Sequence, residues 1–86
     1  PNYAMAKEKI DLKPGVDTDA LLARVAAAQA HLNPSTIDGV KIDFADRWVH
    51  LRKSNTEPII RIYTEAPTLA EAEALATEFA AKLSSL

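Results

Sequence analysis

Around Val40 the spacing of apolar residues changes from a helical period to a strand period, and this switch limits the possible folds more than any other feature of the chain. Upstream, Leu21, Val25, Ala28 and Leu32 recur every three or four residues as one apolar stripe, with Arg24 and Gln29 off it. From Val40 onward the period is two. Val40, Ile42 and Phe44 alternate with Lys41 and Asp43, and after a turn around Ala45-Asp46-Arg47 the segment Trp48-Val49-His50-Leu51-Arg52 continues the pattern as the second arm of an antiparallel hairpin. A polar stretch, Lys53-Ser54-Asn55-Thr56-Glu57-Pro58, then separates this arm from a third strand, Ile59-Ile60-Arg61-Ile62-Tyr63-Thr64-Glu65.

Helix signals bracket the strands. Asp17 before Thr18 and Asp19 supplies an N-cap with acidic charge in the first turn, and Asn33-Pro34 predicts where that helix ends. Pro67-Thr68 with Glu71 three residues on predicts a capping box, in which each residue's side chain bonds the other's backbone N–H. The following stripe Leu69, Ala72, Ala76, Phe79 and Leu83, with Leu75 beside it, needs a sheet to lie on. Residues from about Tyr3 to Leu12 alternate loosely and read as a strand near a sheet edge. The expected architecture is strand, helix, three strands, helix. This is an α+β two-layer sandwich, a mainly antiparallel four-stranded sheet with two helices on one face.

A length of 86 residues allows one domain, residues 1–86, and the absence of an initiator methionine at Pro1 suggests a fragment of a longer chain. With 48% hydrophobic and 26% charged residues the chain should fold. Its formal net charge of -2 offers no long-range attraction to nucleic acid or an anionic membrane, so any anion site must be local. The lack of cysteine removes disulfides and thiolate metal sites and permits a cytoplasmic location. No apolar run is long enough to span a bilayer.

The polar loop carries the chemistry. If Val49 and Leu51 face the helices, Arg52 faces away, and if Ile60 and Ile62 are core, so does Arg61. Both arginines then project from one sheet face at opposite ends of a loop holding Ser54, Asn55 and Thr56. Forked guanidinium donors, hydroxyls, an amide and consecutive backbone N–H groups suit a phosphate dianion. Pro58 should stiffen the loop, and Glu57 is expected to turn back onto a backbone N–H or an arginine.

The stretch Arg52-Lys53-Ser54-Asn55-Thr56-Glu57-Pro58-Ile59-Ile60-Arg61 resembles the phosphate-binding loop of the α-D-phosphohexomutases, where Arg-x-Ser-(Gly or Asn)-Thr-Glu-Pro is followed closely by Arg. Asp38-Gly39-Val40-Lys41 and Trp48-Val49-His50-Leu51-Arg52 are also similar to the bacterial branch of that family, so the resemblance covers most of the chain. Lys53 and Asn55 depart from residues common at those positions. The resemblance implies a fourth, C-terminal domain that grips the phosphate of a hexose phosphate through Arg52, Ser54, Asn55, Thr56 and Arg61. For the whole enzyme the resemblance implies movement of a phosphoryl group between the 1- and 6-positions of a glucose, mannose or glucosamine phosphate. Its remaining domains would be partners of this one and would supply the catalytic serine and the Mg²⁺ site. No catalytic residue, cofactor or metal is expected here, since no serine has an adjacent base and His31 and His50 lack metal-ligand spacing. The other reading is an interaction or nucleic-acid module that uses the open sheet face, with Trp48, His50 and Tyr63 on it. Net acidity and the absence of a basic stripe in the sequence argue against it.

Overall fold

The computed structural model describes residues 2–85; Pro1 and Leu86 lie outside them. The elements are β1 (Ala4–Asp11), α1 (Thr18–Ala28), a single 3₁₀ turn (Ala30–Leu32), β2 (Val40–Asp43), β3 (Trp48–Lys53), β4 (Ile59–Ala66) and α2 (Leu69–Ser84). All strand pairs are antiparallel and the sheet order is β1-β4-β3-β2, so the first strand joins the last one as an edge of the sheet. The expected α+β architecture is present.

Parity builds the core. Val40 and Ile42 of β2, Val49 and Leu51 of β3, and Ile60 and Ile62 of β4 present one buried face. Leu21, Leu22 and Val25 of α1 and Leu75, Ala76, Phe79 and Leu83 of α2 pack on it as a single cluster. Phe79 is fully buried at its centre, and truncating such a side chain costs about 3–5 kcal/mol. Thr64 is the one buried polar residue among those described, and its hydroxyl donates to the Ala72 carbonyl of α2 at 2.7 Å. The hydroxyl is thereby satisfied, and it fixes the helix against the sheet.

Four local expectations need correction. The first helix ends at Ala28 rather than at Asn33-Pro34. Its C-terminal stretch tightens into the 3₁₀ turn, and Asn33 takes a left-handed conformation (φ 54°), which asparagine tolerates better than most residues. The apolar stripe also shifts: Ala28 is exposed and Leu22 takes its place in the core. At α2, Leu69 is exposed, because it opens the helix beyond the sheet's cover. The capping box is half made. Thr68 Oγ1 accepts from the Glu71 N–H at 3.1 Å, while the Glu71 carboxylate turns to the Arg47 guanidinium, 3.6 Å away. Asp17 caps α1 as expected, accepting from the Ala20 N–H at 3.1 Å.

Candidate functional site

The candidate loop, residues 54–58, leaves β3 and returns as β4. Its stem closes through the Ser54 N–H, which donates to the Ile59 carbonyl at 3.2 Å, and the Pro58 carbonyl accepts from the Leu12 N–H at 2.7 Å. Inside the loop, Ser54 Oγ accepts from the Thr56 and Glu57 N–H groups, both at 3.3 Å, and lies 3.4 Å from Thr56 Oγ1. A serine organising a turn in this way replaces the open nest of N–H groups that the sequence suggested. Glu57 also differs from expectation. Its carboxylate is exposed and pairs with no arginine among the described residues, and its backbone carbonyl accepts from the Ile59 N–H instead.

Arg52 and Arg61 are direct register partners on β3 and β4, so they stand side by side on the open face. Lys9 of β1 is the register partner of Arg61 on its other flank. Three cations thus form a row across three strands, which corrects the reading that the chain has no basic stripe. A row built across strands leaves no run in the sequence. Arg52 pairs with Asp38, Nη2 to Oδ2 at 3.3 Å, whereas neither Arg61 nor Lys9 has an ion-pair partner among the described residues. Like charges directly opposite one another destabilise a sheet, so the row favours an added anion.

Three of the predicted site residues line two separate depressions, whereas Ser54 and Thr56 line neither. Arg52 and Asn55 line a small cleft of about 150 Å³ with Asp38, Gly39, Lys53 and Asp19. Arg61 lines a shallower one of about 200 Å³ with Lys7, Lys9, Glu8 and Tyr63. Lys53 is drawn toward α1, its Nζ 2.9 Å from the Asp19 carboxylate.

The aromatic residues of the open face are engaged locally. Trp48 Nε1 donates to Glu65 at 3.1 Å, and the Lys41 ammonium lies 5.2 Å from the centre of the indole ring. His50 Nε2 donates to the Asp38 carbonyl at 2.6 Å and Tyr63 is its register partner. In the sequence the Asp38-Gly39 dipeptide stood out only as part of the family resemblance, and its contacts with the arginine strand were not legible. At the hairpin turn the Arg47 guanidinium, donating to Asp46, holds that carboxyl below its ordinary range.

No group of three or more His, Cys, Asp or Glu side chains suited to a metal ion occurs among the described residues. No described helix is long and apolar enough to cross a membrane.

Comparison with known proteins gives a consistent set of relatives. A phosphoglucosamine/phosphogalactosamine mutase of Sulfurisphaera tokodaii is 44% identical over 68 residues, covering 77% of this chain and 15% of that protein. A probable phosphoglucosamine mutase of Methanopyrus kandleri is 32% identical over 80 residues, covering 92% of the chain and 18% of its own length. A phosphomannomutase/phosphoglucomutase of Pseudomonas syringae pv. tomato is 43% identical over 49 residues, covering 57% and 10%. The chain therefore spans less than a fifth of each of these relatives. They include archaea as well as a bacterium, so the expected bacterial affiliation is not singled out. The family described as phosphoglucomutase/phosphomannomutase, C-terminal domain, matches residues 7–82. With nearly the whole described chain matched, the protein belongs to the C-terminal domain family of the phosphoglucomutases and phosphomannomutases.

Proposed function

We propose that this domain grips the phosphate of a hexose phosphate, acting within a phosphohexomutase that moves a phosphoryl group between the 1- and 6-positions of the sugar. The observation that carries the reading is the register pairing of Arg52 with Arg61 beside a loop of hydroxyl and amide donors. Two guanidinium groups held side by side are an unfavourable arrangement alone and a favourable one around a dianion. The loop adds Ser54, Asn55 and Thr56. Its Thr56 and Glu57 N–H groups now reach an internal hydroxyl oxygen at 3.3 Å, a long bond that a charged phosphate oxygen can replace with a shorter one.

The nucleophilic serine and the metal site then belong to the rest of the parent enzyme, the domain's chief partner, and a cytoplasmic setting goes with such metabolic chemistry. Ser54 is surrounded by backbone N–H groups and another hydroxyl, with no base to activate it. The chain alone should turn over no hexose phosphate. Titrating it with glucose 1-phosphate and following backbone amide resonances tests the reading. The expected shifts center on residues 52–57 and 61; shifts elsewhere with that loop silent would overturn it. The cation row keeps a second reading in view, so single-stranded nucleic acid is titrated at the same salt. Saturable binding of nucleic acid without a response to the sugar phosphate would favour that reading.

A further inference from the structure

We propose that Asp38 is a positioning residue of the anion site, holding the Arg52 guanidinium by one nitrogen so that its other donors stay presented to the phosphate. The proposal rests on the reading of Arg52 as a phosphate ligand. Three contacts tie the Asp38-Gly39 pair to three consecutive residues of β3. The Asp38 carbonyl accepts from His50 Nε2 at 2.6 Å. Gly39, at φ +70°, lies so close to the Leu51 carbonyl oxygen that any Cβ would collide with it. The Asp38 carboxylate then meets Arg52, Oδ2 to Nη2 at 3.3 Å. The first two contacts fix the backbone from which the carboxylate reaches the arginine, so its place is built rather than incidental.

The sheet order gives this contact a direction. Asp38 precedes β2 on one flank of β3, and Arg61 lies on β4 on the other flank. Arg61 repels the Arg52 guanidinium while Asp38 holds it from the opposite side. A guanidinium has five N–H donors in a rigid fork, and the close contact with Asp38 is made through Nη2, so one carboxylate cannot occupy all five and the fork keeps donors for an anion.

The test is a double-variant cycle on the 86-residue chain, with inorganic phosphate as the probe and amide resonances of residues 54–57 as the readout. Asp38→Asn keeps the carbonyl that His50 needs and removes only the charge. Simple electrostatics predicts that losing a carboxylate near an anion site tightens binding; positioning predicts the reverse. The expected result is a weakening of about two- to fivefold in the native background, the range for an exposed ion pair, and no effect in an Arg52→Ala background. Asp38→Glu should recover part of the loss. Tighter or unchanged binding in Asp38→Asn overturns the proposal, as does an equal weakening when Arg52 is already absent. If Arg52→Ala itself binds phosphate like the native chain, the phosphate reading falls and this proposal falls with it. A failure confined to the Asp38 variants leaves that reading standing.

Discussion

Replacing Arg61 with glutamine should move stability and affinity in opposite directions. Arg61 has a cation directly opposite it on each side, Arg52 on β3 and Lys9 on β1, with strand spacings of about 4.8 Å. Each like-charge neighbour in this geometry costs roughly 0.2–1 kcal/mol, and the exposure of Arg61 places both near the bottom of that range. Glutamine keeps the length and removes the charge, so the gain is about 0.5 kcal/mol, or about 2–4 °C in Tm for a domain of this size. The gain should shrink between about 20 mM and about 500 mM salt as screening shortens the range of the repulsion. Phosphate affinity should fall about tenfold or more, because a charge-assisted hydrogen bond is worth about 1.5–3 kcal/mol. Circular dichroism melts at both salts and a phosphate titration measure the two effects. Lys53→Ala is the control: it lies outside the donor set, and losing its pair with Asp19 should cost at most about 1 kcal/mol with affinity unchanged. A lower Tm in Arg61→Gln would make the arginine structural, and an unchanged affinity would refute the clamp.

Two further substitutions probe the scaffold. Gly39→Ala places a Cβ against the Leu51 carbonyl at a left-handed backbone position and should lose about 2–4 kcal/mol in urea unfolding; an unchanged midpoint would contradict the packing described. Thr64→Val keeps the shape but removes the hydroxyl bond to Ala72, so a loss of about 1 kcal/mol is expected, and a gain would show that the bond contributes nothing net.

The faces of Arg52 and Arg61 were legible because Val49, Leu51, Ile60 and Ile62 fix the parity of their strands. Their direct opposition was not, since register depends on how the chain returns through residues 54–58, and parity is silent on that. The place of Lys9 was still further out of reach. It follows from pairing β1 with β4, a choice made over most of the chain's length. The early end of α1 was hidden for a similar reason: Ala28 and Leu32 continue a helical spacing that the chain abandons to turn toward β2. Glu71 satisfies a local capping pattern, yet its carboxylate is turned toward Arg47, distant in sequence, at ion-pair distance.

The pairing of β1 with β4 also sets an order of events in folding. β2, β3 and β4 are joined by short connections and can form as a meander from local contacts, whereas Ala4 finds Ala66 only once everything between them has been gathered. β1 is therefore expected to be the last strand to lock in. During that wait its alternating Lys7, Glu8 and Lys9 keep an unpaired strand charged and poorly suited to pairing with another molecule. The loop at residues 54–58 lies inside that meander, so it is expected to take shape before β1 closes the cation row beside it.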